Sequence, residues 1–280
     1  MATIQAALER KIPEWREEIK ALLQAHGDDK IGEVSLRQAY GGMRGITCMV
    51  CDTSEVPPDQ GLLVRDTPIA NLKGHTPEEI FYLLCTGEMP NAGDVETLHA
   101  EFSQRAHVPD YVWKVLEAMP ADSHPMCMLD TAILVMERES KFRAQYTEGL
   151  KKSDYCKPTL EDSLTLLSRL PTIAAGVYRM RFNKGPRIPF DPKLDWSTNY
   201  ARMLGIDDPE FQALMRLYMV LHTDHEGGNV SAFTAHVVAS ALSDPYYAVA
   251  AGLSGLEDSL NLLAKLPGLA AGVYRIRYDK

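Results

Sequence analysis

HTDHEGGNVSAFTAHVVASALSDPYY, residues 222–247, is the stretch on which the reading of this chain turns. Before it, Phe211, Leu214, Met215, Tyr218 and Met219 recur at helical spacing, with Leu221 or His222 completing the stripe. Gly227 and Gly228 are natural helix terminators in the left-handed conformation, and Asn229 or Ser231 can cap a following helix. His225 is thereby expected at a helix C-terminus, where the dipole favours a positive imidazolium. The apolar segment 237–256 is cut at Asp244-Pro245 into pieces too short for a bilayer, so a buried helix pair is expected, not a membrane span.

Helical periodicity continues outward in both directions. Ile4, Leu8, Ile12, Trp15, Ile19, Leu22 and Leu23 form an amphipathic helix that Pro13 is expected to interrupt. Thr76-Pro77-Glu78-Glu79 has the form of a capping box with proline at the first helical position, and Asp208-Pro209 and Asp244-Pro245 repeat the device. Leu160, Leu164, Leu167, Leu170, Ile173, Ala174 and Val177 make a further stripe, with a kink expected at Pro171. Residues 31–69 read differently, being rich in Gly, Thr, Val, Asp and Pro. Val34-Ser-Leu and Ile46-Thr-Cys-Met-Val are the candidate strands there. The expected class is all-α, mainly helical, with a small β-containing N-terminal region.

A chain of 280 residues can bury a large core. Its net charge of −9 disfavours non-specific attachment to nucleic acid or anionic membrane, so neither is an expected partner. Five cysteines argue against a disulfide framework and fit a reducing compartment. Cys48 and Cys51 form a CxxC, but no second CxxC or suitably spaced histidine pair completes a zinc site, and a loop or strand pair is the plainer reading. No presequence is visible at the N-terminus.

The chain also repeats itself. Residues 160–184 read LEDSLTLLSRLPTIAAGVYRMRFNK and residues 256–280 read LEDSLNLLAKLPGLAAGVYRIRYDK, 17 of 25 positions being identical at a constant offset of 96. The similarity begins sharply at Leu160 and Leu256, which excludes a solenoid. A helix shaped for one groove is not thereby shaped for another, so the copy either packs loosely or displaces the original. Glu257 and Asp258, like Glu161 and Asp162, read as a surface helix start.

Residues 222–247 resemble the DHEGGNVSA segment of citrate synthases of the mitochondrial type. Tyr40-Gly-Gly-Met-Arg-Gly45, Cys51-Asp-Thr-Ser54, Leu160-Glu-Asp-Ser-Leu164 and Leu194-Asp-Trp-Ser197 match in order, and the resemblance runs through residues 1–255. It implies a helical homodimer that condenses acetyl-CoA with oxaloacetate and water to citrate and CoA, with no further cofactor. By the match, His225 is the histidine that hydrogen-bonds oxaloacetate, with Asn229 and Ser231 in the adjoining turn. Arg44 is the arginine that meets CoA phosphates, and Lys152 falls where the family has a basic residue for the same ligand. Phe233 departs from the histidine often found at its position. The family type implies the mitochondrial matrix; without a presequence the cytoplasm is the alternative.

The condensation needs more than these. It takes a carboxylate base, a neutral histidine donating to the thioester oxygen and a further histidine on the ketone. In the family the first catalytic histidine comes directly after the segment matching 250–256, in a Gly-Pro-Leu-His-Gly motif. Here the copied helix takes that place, and the second histidine, the aspartate and the small domain lie further on in the family. The expected division is therefore a large-domain portion over 1–255, the copy over 256–280, and no small domain. The chain is expected to be inactive alone, with no catalytic residue and no metal ligand. Two other readings stand: a non-catalytic assembly or regulatory partner of a full-length citrate synthase, and metal-dependent hydrolysis at His222, Asp224 and His225. Gly227-Gly228 count against aligning these with His236 on one helix face.

Overall fold

The computed structural model describes residues 4–41, 45–47, 50–225 and 230–254. Helices α1 (Ile4–His26) and α2 (Leu36–Tyr40) lead into a small antiparallel sheet. Its strands β1 (Ser54–Glu55), β2 (Leu63–Val64) and β3 (Thr67–Pro68) lie in that order, pairing Ser54 with Val64 and Val64 with Thr67. Helices α3 (Ile69–Leu72), α4 (Pro77–Thr86), α5 (Ala92–Arg105), α6 (Asp110–Ala118) and α7 (Pro125–Met136) come next. The remainder comprises α8 (Lys141–Thr147), α9 (Cys156–Arg181), α10 (Trp196–Leu204), α11 (Pro209–Leu221), α12 (Val230–Ser240) and α13 (Pro245–Ser254). The mainly helical class with a small β-containing N-terminal region is what the chain adopts.

The strands sit elsewhere than expected. Ser35 is an N-cap, its hydroxyl accepting from the Gln38 N–H while the Gln38 side chain accepts from the Ser35 N–H, so the Val34-Ser-Leu segment starts α2. Ile46 and Thr47 have no regular structure, and Cys48 and Met49 lie outside the described residues. Pro13 does not interrupt α1, because it lies on an exposed face where water can satisfy the carbonyl it strands. Residues 156–181 likewise form one helix through Pro171, clamped on several sides by other helices. The capping box at Thr76 forms as read, the Thr76 N–H donating to Glu79 at 2.7 Å.

The core is built around α9. Ile173 and Val177 of α9 are buried with Trp113 of α6, Ile133 of α7, and Tyr246 and Ala250 of α13. Gly176 lets Trp113 lie against the helix: a Cβ there would stand 2.6 Å from Trp113 Cη2 and Cζ3. Trp113 cannot withdraw freely, since the Arg187 guanidinium covers its ring at 4.4 Å. Gly176→Ala is therefore expected to cost about 1–3 kcal/mol through overpacking. A lowered urea midpoint with an unchanged m-value is the confirming result.

Glu161 and Asp162 are not a surface helix start. α9 begins at Cys156, so both lie more than a turn inside it. Asp162 is 1% exposed and accepts from the Ser140 hydroxyl (2.7 Å) and from the N–H groups of Lys141 (2.8 Å) and Phe142 (3.1 Å). It thus supplies acceptors to the first turn of α8 across a helix interface. Glu161 binds Arg105 at 2.8 Å and Lys141 at 2.9 Å; with Arg105's hydrogen bond the largest cause, its carboxyl is held down at about 2. Residues 257 and 258 lie outside the described residues.

Candidate functional site

α11 ends at Leu221, well before Gly227-Gly228. The ending is local. His222 caps the helix, its Nδ1 at 2.8 Å from the Tyr218 carbonyl and its ring stacked on Tyr218 with centroids 4.0 Å apart. The Thr223 hydroxyl donates to the Val220 carbonyl at 2.9 Å. The last carbonyls of α11 are thereby satisfied without a glycine. His222, not His225, holds the C-terminal position.

His225 lies beyond the helix, exposed, its backbone N–H donating to Asp224 Oδ1 at 2.9 Å. α12 starts at Val230, which puts Ser231 in its first turn and position 229 just before it. Asn229 and Arg44 lie outside the described residues, as do Gly227 and Gly228. Gly252 fixes how close Ser231 comes to α13: a Cβ at 252 would be 3.1 Å from the Ser231 carbonyl oxygen and 3.3 Å from Ala235 Cβ. The helix pair expected over 237–256 is present, but only α13 is buried; α12 has no buried residue. Its apolar surface therefore lacks the cover that the composition predicted.

His225 and Ser231 thus flank one junction. Lys152 does not join them. It lies exposed on the turn Lys152–Asp154 at the N-terminal end of α9, next to Ser153, whose carbonyl accepts from Arg16 of α1. Among the described residues no group of three or more His, Cys, Asp or Glu side chains is placed to hold a metal, so the hydrolytic reading finds no ligand set there. The described cysteines, Cys51, Cys85, Cys127 and Cys156, carry no disulfide. Burial works against the Cys51 thiolate, yet hydrogen bonds from Thr53 and Ser54 outweigh it and hold the thiol below its ordinary value.

A cluster beside α11 went unread as chemistry. Asp195 caps α10: its carboxylate accepts from the Ser197 hydroxyl (2.6 Å), from the Thr198 N–H (2.9 Å) and hydroxyl (2.6 Å), and from Arg216 of α11 (2.7 Å). The Trp196 N–H donates to Glu78 of α4 at 2.6 Å. Three helices are tied through one motif, Leu194-Asp-Trp-Ser197. The Asp-x-x-Thr spacing of a helix cap was its visible signal.

Burial raises Asp195, but these donors outweigh it and hold the carboxyl at about 2, against 3.8 ordinarily. A folded value below the unfolded one means that the stability it contributes is complete above pH ~4 and is lost as the pH falls towards 2. Asp195→Asn is expected to destabilise at neutral pH and to flatten the acid limb of the stability curve. An acid limb identical to that of the parent protein would count against this assignment.

The family model for the citrate synthase C-terminal domain matches residues 42–265. The mitochondrial citrate synthase of Daucus carota is 42% identical over 271 residues, covering 93% of this chain and 57% of that protein. The mitochondrial enzyme of Saccharomyces cerevisiae is 43% identical over 269 residues (92% and 56%), and the peroxisomal citrate synthase of the same yeast is 41% identical over 269 residues (92% and 58%). Among solved structures, citrate synthase from Pyrobaculum aerophilum superimposes with a TM-score of 0.72 at 26% identity, covering 82% of this chain and 58% of that one. The chain spans a little over half the length of these relatives. A helical core organised on α9, ordered family motifs and a family-model match over most of its length together make the chain a member of the citrate synthase family.

Proposed function

We propose that residues 1–255 are a large-domain portion that carries one wall of an oxaloacetate site and that these 280 residues do not form citrate alone. His225 is the oxaloacetate ligand, with Asn229 and Ser231 in the adjoining turn, and Arg44 and Lys152 serve CoA. The observation that carries this reading lies after residue 255: a second copy of 160–184 stands where the family resemblance calls for Gly-Pro-Leu-His-Gly. Thiol release from acetyl-CoA in the presence of oxaloacetate tests it, and turnover at ordinary enzyme rates overturns it. The mitochondrial names of the relatives support the matrix as its compartment; the peroxisomal yeast relative makes organelle import of a tagged chain the deciding measurement.

An assembly role is the second reading, and one observation favours it. On α12, Val230 is 66% and Val237 51% exposed, while Leu242 and Tyr247 beside it are 44% and 45% exposed. Val230 and Val237 stand two turns apart on one face of α12, and apolar side chains exposed together in this way suit an interface. A homodimer, or a mixed dimer with a full-length citrate synthase, would cover it. Light scattering and co-purification with the full-length enzyme separate the two, and a strict monomer that captures no enzyme removes the assembly role.

A further inference from the structure

Phe142, Tyr146 and Tyr155 form a closed aromatic trio. Phe142 and Tyr146 stand one turn apart on α8 and stack with ring centroids 5.8 Å apart. Tyr155, just before α9, lies edge-on to Phe142 at 5.5 Å and tilted to Tyr146 at 5.8 Å. Aromatic pairs at such distances contribute beyond the area they bury. Phe142 is itself buried, and its N–H donates to Asp162 of α9. The chain between the two tyrosines, residues 147–154, is thereby held at both ends.

That segment carries two adjacent cations, Lys151 and Lys152, both exposed. Within it the Gly149 N–H donates to the Tyr146 carbonyl at 3.1 Å, and the Asp154 N–H to the Lys151 carbonyl at 2.9 Å. A third cation reaches the turn from α1, where Arg16 donates to the Ser153 carbonyl at 3.2 Å. Lys11, Lys20, Lys141 and Lys157 each have a carboxylate partner, whereas no ion pair joins Lys151, Lys152 or Arg16 among the described residues. The acidic residues of the segment are Glu148 and Asp154, and Asp154 accepts from the Ser153 hydroxyl at 3.2 Å. Three cations gathered outside any ion pair, in a chain of net charge −9, suit a ligand that carries several phosphate charges.

On the reading that Lys152 serves CoA, we propose that Arg16 and Lys151 complete its phosphate-binding set and that the aromatic trio positions that set. Lysine is a compact charge on a flexible stem, so a site built from lysines gains affinity when the backbone beneath them is fixed beforehand. Tyr146 and Tyr155 are positioning residues: their rings lie against one another and against Phe142, and they act through the turn between them.

CoA binding to the full 280-residue chain, measured by titration calorimetry, tests this. Arg16→Ala and Lys151→Ala are each expected to weaken binding about two- to fivefold, the range of an exposed ion pair, and added salt should shrink both effects. Tyr155→Ala is expected to weaken it about as much. In a Lys151→Ala/Lys152→Ala background it should have no further effect, because it acts through those lysines. Gly176→Ala, which disturbs the core elsewhere, should leave CoA affinity unchanged. A Tyr155→Ala loss that persists without the lysines marks general loosening of the fold and overturns the positioning role. Unchanged binding in Arg16→Ala, Lys151→Ala or Tyr155→Ala, with Lys152→Ala impaired, overturns the inference while the reading of Lys152 stands. If the parent chain binds no CoA, or Lys152→Ala binds as well as the parent, that reading fails and the inference with it. Arg16 is exposed, so its variant decides the matter should Tyr155→Ala fail to fold.

Discussion

Purified and given acetyl-CoA and oxaloacetate, the 280-residue chain is expected to release CoA no faster than buffer does. Enolising the acetyl group needs a base at the methyl carbon and a donor at the thioester oxygen, and the ketone needs a second donor. The copied helix stands where the family resemblance calls for the first of the two histidines, and a positioned proton-transfer group is worth roughly 10²–10⁴ in rate. That corresponds to about 3–5 kcal/mol of transition-state stabilisation. One wall of a substrate site cannot restore it, because binding that is equal in ground and transition states leaves the chemical step unaccelerated. Oxaloacetate binding that His225→Ala abolishes, without turnover in either protein, would fit the proposed division. Citrate formation within a hundredfold of ordinary enzymes would show that the chain has recruited other groups.

Asp162→Ala is the substitution expected to damage the fold most. It removes the acceptor of three donors, Ser140 Oγ, Lys141 N–H and Phe142 N–H, in a place without water to replace it. Hydrogen bonds to a charged group are worth more than neutral ones, and each stranded buried donor adds its desolvation cost; together these amount to roughly 3–5 kcal/mol. For a chain of this length the melting temperature should fall by about 10 °C. Asp162→Asn keeps one acceptor oxygen but turns an NH₂ group towards the Phe142 N–H, and about half the loss is expected. If alanine and asparagine were equally tolerated, the carboxylate would not be what holds α8 to α9.

Much of the architecture was legible because it rests on short-range chemistry. The capping box at Thr76 and the N-cap with following proline at Asp208 need only residues two or three positions apart, and both form as read. The periodic stripe of α9 depends on i, i+3 and i+4 spacing, and Leu164, Ile173 and Val177 are buried accordingly. The site was less legible. Gly227-Gly228 promised a helix end, but α11 stops at Leu221 because the side chains of His222 and Thr223 satisfy its last carbonyls first. Lys152 shares a ligand with Arg44 in the resemblance, yet it sits exposed at the N-terminal end of α9 and joins neither His225 nor Ser231.

Residue order alone was enough for the helical class, the caps, the family motifs and the second copy of 160–184, since each is a pattern of neighbours. Long-range packing had to settle the rest. Asp162 and Glu161 have the look of a surface start, and only the approach of α8 turns Asp162 into a buried acceptor. Leu194-Asp-Trp-Ser197 reads as a motif, and only the convergence of α4 and α11 on α10 makes it a three-helix tie. The burial of Glu78 against the Trp196 N–H has no trace in the sequence at all, because the two groups belong to helices 118 positions apart. Burial and hydrogen-bond satisfaction are properties of groups that meet in space, and a linear pattern does not record which groups meet.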